Sequence, residues 1–257
     1  MKSSDVPDLG IAVFDSHAPY HDKDVWSIVH QVASDSRDRL KLFLLGGDNL
    51  DCRFVSRFTE GQPRLRGNIK RDLDKFETDI LKPLDAILPA SCARISLTGN
   101  HELWAQNFLD RNEEFRGFLD IEAPLKKYGF RIIEQGGSYK RGKLEFTHGD
   151  VIGGSAETAC RRALEQFCGN ICFGHFHRSG NATKILRPKR KDKWNAWSLP
   201  CACRLDASYL KGKPTGWLPG FAVIEFFPDG SFNLYPILVL KGRAAYGGTI
   251  YRARKQR

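Results

Sequence analysis

This sequence predicts a layered α/β domain in which helices cover sheets. Three observations predict it. Short apolar runs of strand length recur between residues 11 and 177. Stretches with helical apolar spacing separate most of them, which is the alternation of an α/β domain. The last third then carries strand-like runs with no helices between them.

In chain order, Ile11-Ala12-Val13-Phe14 is the first buried strand and ends in Asp15-Ser16-His17. From Asp22 to Ser34, Val25, Ile28, Val29 and Val32 share a helical face, and Asp22 and Asp24 suit the helix start, where N–H groups lack partners. Leu42-Phe43-Leu44-Leu45 is a second strand, broken by Gly46-Gly47 and followed by Asp48 and Asp51. Residues 53–68 are polar and read as a loop, the start of an excursion over 53–92. Within that excursion, Ile69 to Leu88 carries a helical stripe of Leu73, Phe76, Ile80, Leu81 and Leu84. Pro83 is expected to bend or end that helix, because its ring crowds the preceding turn.

Arg94-Ile95-Ser96-Leu97 is a third strand, ending in Thr98-Gly99-Asn100-His101-Glu102. Helical spacing resumes through Trp104, Phe108 and Phe115 and again from Ile121 to Lys127. Phe130-Arg131-Ile132-Ile133 and Lys143-Leu144-Glu145-Phe146 read as strands, the second ending in Thr147-His148-Gly149-Asp150. A helix from Ser155 to Phe167 leads to Ile171-Cys172-Phe173 and then Gly174-His175-Phe176-His177. Residues 178–257 form a β-rich C-terminal part with a basic loop and a basic tail. No repeat or linker interrupts the chain, so residues 1–257 are expected to form a single domain.

Composition sets limits on function. A chain of 257 residues is long enough to bury a full core. No run approaches the roughly 18 apolar residues that span a bilayer, so no membrane partner is expected. Met1 to Leu9 lacks the layout of an export signal, and the seven cysteines are an odd number, so reduced thiols in a cytoplasm are expected. The net charge of +10 points to a polyanionic partner such as DNA or RNA.

Together the strand ends offer Asp15, His17, Asp48, Asn100, His148, His175 and His177. This mixture of carboxylate, amide and imidazole suits Mn2+, Fe or Zn2+ better than Ca2+, which takes an all-oxygen cage. Seven ligands exceed what one ion with an open position needs; with a bridging carboxylate they suit two. Two metals about 3.5–4 Å apart form a clamp for in-line attack at phosphorus by metal-bound hydroxide.

The series Asp15-x-His17, Gly47-Asp48-x-x-Asp51, Gly99-Asn100-His101-Glu102, His148-Gly149 and Gly174-His175-x-His177 resembles the calcineurin-like metallophosphoesterase superfamily. The stretch from Asp15 to Asp22 further resembles small prokaryotic and phage-encoded members, which would act in a host cytoplasm. The resemblance implies a four-layer αββα sandwich of two mixed sheets flanked by helices. It implies two divalent ions, Mn2+ foremost, with Fe, Zn2+ or Ni2+ as alternatives. Asp15, His17, Asp48 and His177 would hold the first, and Asp48, Asn100, His148 and His175 the second, with Asp48 bridging. His101 would contact the phosphate and protonate the leaving oxygen, Asp51 would orient His101, and Glu102 would support without reacting.

The implied activity is phosphate-ester hydrolysis, with a phosphodiesterase or nuclease acting on nucleic acid as the leading reading. A phosphomonoesterase acting on a phosphoprotein, nucleotide or metabolite is the first alternative, and a non-catalytic metal-binding scaffold the second. Protein phosphatases of the superfamily carry Arg-Gly directly after the second Asp of Gly-Asp-x-x-Asp; here Cys52-Arg53 stands in that place. Arg53, one residue later, is the candidate grip on the phosphate.

Cys168, Cys172 and His175 lack the second cysteine pair of a zinc knuckle, and Cys201-Ala202-Cys203 lacks redox spacing, so both read as core thiols. Of three basic stretches, the loop from Lys184 to Lys193 follows His177 and precedes Trp194 and Trp197. Cations beside aromatic faces suit single-stranded nucleic acid, which makes Lys189, Arg190 and Lys191 candidate substrate contacts near the metals. The competing reading of this stretch is a solvated hairpin whose tryptophans pack into the core.

Overall fold

The computed structural model describes residues 6–56, 67–187, 192–206 and 215–254. Strands β1 (Asp8–Val13), β2 (Leu40–Leu45), β3 (Ala93–Leu97) and β4 (Arg131–Ile133) run parallel in that spatial order. Two strands from the C-terminal third, β10 (Gly220–Phe226) and β11 (Phe232–Leu238), extend this sheet antiparallel beyond β1, giving the order β11-β10-β1-β2-β3-β4. The second sheet is β5-β6-β7-β9-β8, made of β5 (Tyr139–Arg141), β6 (Leu144–Thr147), β7 (Asn170–Phe173), β9 (Asp192–Ser198) and β8 (Gly180–Arg187). Its central three strands are parallel and its two edges antiparallel.

Side-chain alternation along these strands builds three hydrophobic layers. Ile11, Val13, Phe43 and Leu45 point to one face of the first sheet, against α1 (Lys23–Asp35) and the helical excursion. Ala12, Phe14, Leu42 and Leu44 point to the other, where they meet Leu144, Phe146 and Cys172 of the second sheet. Ile171, Phe173 and Ala196 face outward from the second sheet onto Ala159, Cys160, Ala163 and Leu164 of α5 (Ala156–Phe167). Three apolar interlayer spaces separate four layers, so the molecule is the αββα sandwich, with a short hairpin of β12 (Arg243–Tyr246) and β13 (Thr249–Arg252) against α1.

Local chemistry sets the helix ends. The Asp22 carboxylate caps α1 by accepting from the N–H groups of Asp24 and Val25. Pro83 does not end the excursion helix. Helix α2 (Ile69–Phe76) widens into a π turn at Glu77–Leu81 and continues as α3 (Lys82–Ile87), with the proline in its first turn. The wider turn directly before Pro83 accommodates a residue that lacks an N–H and crowds an ordinary turn. No helix among the described residues is long and apolar enough to cross a membrane. All seven cysteines are free thiols.

Candidate metal centre

The five polar segments named above follow the C-terminal ends of β1, β2, β3, β6 and β7. All five strands belong to the parallel parts of the two sheets, so their C-terminal ends lie on the side where open α/β sheets bind ligands. Helix α4 (Asn100–Arg111) starts within this site, and the His101 N–H donates to Asp48 Oδ1 at 2.9 Å. A helix N-terminus favours the negative charge placed there.

Contacts link all seven expected ligands. His17 Nε2 lies 3.2 Å from His177 Nε2 and 3.8 Å from Asp48 Oδ2. His177 Nε2 is 3.7 Å from Asp15 Oδ1, and the Asp15 carboxylate accepts the N–H of His175. Asp48 Oδ2 sits 3.3 Å from His148 Nε2, which is 3.2 Å from Asn100 Oδ1. Asp48, His148 and His175 each place a ligand atom within 4.8 Å of the others. The side chains come together from five loops, and Asp48 touches both halves of the cluster.

The imidazoles are oriented from behind. His17 Nδ1–H donates to Asp51 Oδ1 at 3.1 Å, and His148 Nδ1–H donates to the Gly46 carbonyl at 3.0 Å. His177 Nδ1 meets the Cys203 sulfur at 3.8 Å. In all three rings the far nitrogen has an outer partner and Nε2 points inward, which is how metal-binding histidines are held. Inward Nε2 atoms facing one another and two buried carboxylates form a donor set that a shared cation satisfies, so the residues fit divalent metals.

Charge balance within the cluster gives the same result. Burial alone would raise the Asp48 carboxyl, but the charges of His148 and His101 and the hydrogen bond with His148 hold it well below its ordinary value. Burial alone would lower His17, yet the Asp51 hydrogen bond and the charges of Asp48, Asp51 and Asp15 raise it to about 9. His148, opposed by burial in the same way, is raised to about 10 by Asp48, Asp15 and the Gly46 carbonyl. In the metal-free protein, protons on these two rings supply positive charge to the carboxylates.

The backbone is unusual at the same residues. Asp15, His17, Asp48, His175 and His177 all have φ between 47° and 66°, the left-handed region that side chains seldom occupy. Such conformations persist where the surroundings over-determine them, typically at functional sites.

His101 stands at the mouth, with 18% of its side chain exposed and Nε2 3.9 Å from Asp48 Oδ2. Its ring stacks on Trp104 at 4.1 Å between centroids. Burial lowers its imidazole, against the charges of Asp48 and Asp51. The orienting role expected of Asp51 divides in two. The Asp51 main-chain carbonyl accepts from His101 Nδ1–H at 2.7 Å, while its carboxylate lies on His17 and is 3.7 Å from His101 Nδ1. The loop after β2 turns this carboxylate toward the first strand end, because Asp51 N–H donates to the Ala18 carbonyl.

Glu102 supports the site more extensively than its motif position conveys. Its Oε1 accepts from the N–H groups of Asn49 and Leu50, and its Oε2 from those of Asp48 and Gly99. One buried carboxylate thus holds the loop that carries Asp48. Burial and the Asp48 charge raise this carboxyl to about 6.

Of the expected substrate contacts, Arg53 alone falls among the described residues. Arg53 is buried in the wall of the site, with its guanidinium 3.0 Å from the Tyr20 hydroxyl and 3.7 Å from Asp51 Oδ2. Lys189, Arg190 and Lys191 lie outside the described residues. Strand β8 leaves the site at Gly180, pairs Lys184 with Trp194, and runs eight residues, about 25 Å, away from the ligands. The tryptophans are used in packing. Trp194 lies against the cluster under α5, and Trp197 against the intersheet core, with Phe232 at 5.6 Å between ring centroids.

Two mixed sheets with helices outside and an aspartate–histidine cluster at the strand ends define a metallophosphoesterase-like sandwich. The solved structure of Vacuolar Protein Sorting 29 from Cryptosporidium parvum has this fold in common: TM-score 0.50 at 12% identity, covering 96% of this chain and 100% of that one. A single-mutant Vps29 from Entamoeba histolytica gives a TM-score of 0.47 at 14% identity, covering 92% and 96%. In sequence, the gene 54 proteins of Mycobacterium phages L5 and D29 are each 24% identical to this chain, spanning 94% of it and 97% of the phage proteins. No family model matches the chain.

Proposed function

We propose that the protein is a dinuclear metal-dependent phosphoesterase that hydrolyses phosphodiester bonds of nucleic acid. The observation that carries this reading is the inward set of Nε2 atoms of His17, His148 and His177 around Asp48, each ring tied from behind. Asp15, His17, Asp48 and His177 would hold one ion, and Asp48, Asn100, His148 and His175 the other. Bound divalent ions supply Lewis acidity toward phosphoryl oxygens and lower the pKa of water. His101, its Nδ1–H fixed on the Asp51 carbonyl, holds Nε2 at the open side of the cluster, where a proton can pass to a leaving oxygen. Buried Asp51 and Glu102 keep the strand-end loops in place.

The choice of a diester rests on two features. Cys52-Arg53 replaces the Arg-Gly of protein phosphatases, and Arg53 is committed to Tyr20 and Asp51. The net charge of +10 favours an extended polyanion over a small metabolite.

The test compares bis-p-nitrophenyl phosphate, p-nitrophenyl phosphate, single- and double-stranded DNA, and RNA with Mn2+, Fe2+, Zn2+ or Ni2+ supplied after chelation. Diester turnover that needs metal and nucleic-acid cleavage that weakens with salt are expected. Turnover of the monoester alone would replace this reading with a phosphomonoesterase, and inactivity with every metal would leave a non-catalytic metal-binding protein.

A further inference from the structure

The histidine expected at the first metal position, His177, is held mainly by the C-terminal third of the chain. Cys203 places its sulfur 3.8 Å from His177 Nδ1, the ring nitrogen other than the Nε2 that faces Asp15 and His17. The indole of Trp217 packs edge-on to the same imidazole at 4.2 Å between centroids. Both residues come from segments woven into the strand ends. Ala202 N–H donates to the Phe14 carbonyl, and Cys203 pairs with His21 as an isolated antiparallel bridge. Leu218 N–H donates to the His177 carbonyl, and Cys201 N–H donates to that of Leu218. The Arg178 guanidinium donates from Nε to the Thr215 carbonyl at 3.1 Å, fixing the turn that carries Trp217.

We propose that Cys203 and Trp217 are positioning residues for the metal centre. Cys203 accepts the Nδ1 proton of His177, which leaves the Nε2 lone pair facing the cluster, and Trp217 sets the tilt of the ring. His17 and His148 obtain the same orientation from a carboxylate and a backbone carbonyl; His177 obtains it from a buried sulfur. The inference rests on the metal-centre reading above. Cys203 also lies within 4.8 Å of ligand atoms of both His17 and His177, so direct ligation by sulfur is the competing geometry. The contact with Nδ1, the nitrogen turned from Asp15 and His17, favours positioning. Outer partners of metal-binding histidines change affinity by about 10–100-fold when removed.

The experiment uses the full chain freed of metal by chelation. Ring-nitrogen NMR of this protein reports which nitrogen of His177 carries the proton. Cobalt titration, followed in the visible and near ultraviolet, reports affinity and any sulfur-to-cobalt charge transfer. Wild type should keep the His177 proton on Nδ1 and bind cobalt without a sulfur band. Cys203→Ala should spread the proton over both nitrogens and weaken one of the two binding steps by about 10-fold. Cys203→Ser, whose oxygen also accepts, should restore both properties. Trp217→Leu should weaken the same step while leaving the tautomer unchanged.

Unchanged tautomer and affinity in Cys203→Ala would overturn the proposal. A sulfur-to-cobalt band in wild type would overturn it in favour of ligation. Should Cys203→Ala fail to fold, the wild-type spectra and Cys203→Ser decide, since loss of the Nδ1 proton in folded Cys203→Ser also refutes positioning. Wild type that binds no cobalt while keeping the His177 tautomer would remove the metal-centre reading separately.

Discussion

Gly99→Ala gives the most direct test of how the Asp48 loop is placed. A β-carbon at position 99 would lie 2.2 Å from Asp48 Oδ1 and 2.4 Å from the Asp48 backbone nitrogen, where ordinary contact begins near 3.4 Å. Asp48 or the start of α4 must therefore retreat by about 1.2 Å. The neighbours hold both: Glu102 accepts from Gly99 and Asp48, and His101 donates to Asp48. Overpacking of this kind costs about 1–3 kcal/mol, less than the roughly 5–15 kcal/mol that keeps a domain folded. The chain should fold with Asp48 misplaced. Ligand distances in metal sites tolerate about 0.2 Å, and a misplacement near 1 Å costs about 100-fold in rate. Calorimetric Mn2+ binding and diester turnover should therefore fall by about 100-fold, with thermal unfolding showing a folded protein. Gly117→Ala, where an added β-carbon meets nothing within 4 Å, should change neither. A folded Gly99→Ala protein that binds Mn2+ as wild type does would refute the bridging position assigned to Asp48.

Two further predictions follow from the same cluster. His101→Ala should keep metal affinity near wild type and slow turnover by about 100–10,000-fold, because the ring faces Asp48 from the mouth with its Nδ1–H on the Asp51 carbonyl; loss of both metals would show that it is a ligand. Metal binding should release protons and strengthen as pH rises from about 6.5 to 9, because His17 and His148 are protonated in the metal-free cluster, to about 9 and about 10. Both folded pKa values lie above the ordinary 6.5, so the stability that these protons give the metal-free protein is complete below pH 6.5 and is lost as pH rises through 9 and 10. Calorimetry in buffers of different ionisation enthalpy counts the protons, and affinity independent of pH would refute the argument.

The residues gathered at the candidate centre were legible because each sits within four residues of the end of a buried strand, so local grammar and spatial position coincide. Asp15, Asp48, His148 and His175 needed no knowledge of long-range contacts. The two roles of Asp51 were not legible: the motif pairs it with His101, but the carboxylate and the carbonyl of one residue point to different rings. Cys203 and Trp217 were hidden for another reason. They reach His177 because β9 and β10 carry the chain back beside β7 and β1, and no local pattern marks that return. Pro83 was legible only in part: it follows a widened turn, but the helix runs on past it because that turn can widen.

The cluster also bridges the two sheets, and this makes its spacing a property of the core. Asp15, His17, Asp48 and Asn100 extend from strands of the first sheet, while His148, His175 and His177 extend from the second. Carboxylates and the amide thus come from one side of the seam and most imidazoles from the other. The distance between them is set by the fully buried side chains of the intersheet layer, foremost Phe14. Its ring lies so close to Gly46 and Gly174 that a β-carbon at either would sit 2.0 or 2.5 Å from it. Gly46 leads to Asp48 and Gly174 to His175 and His177, so one aromatic ring spaces the two loops that would share a cation in the proposed centre. An apolar residue one position before the first proposed ligand therefore shapes the candidate centre, through packing instead of coordination.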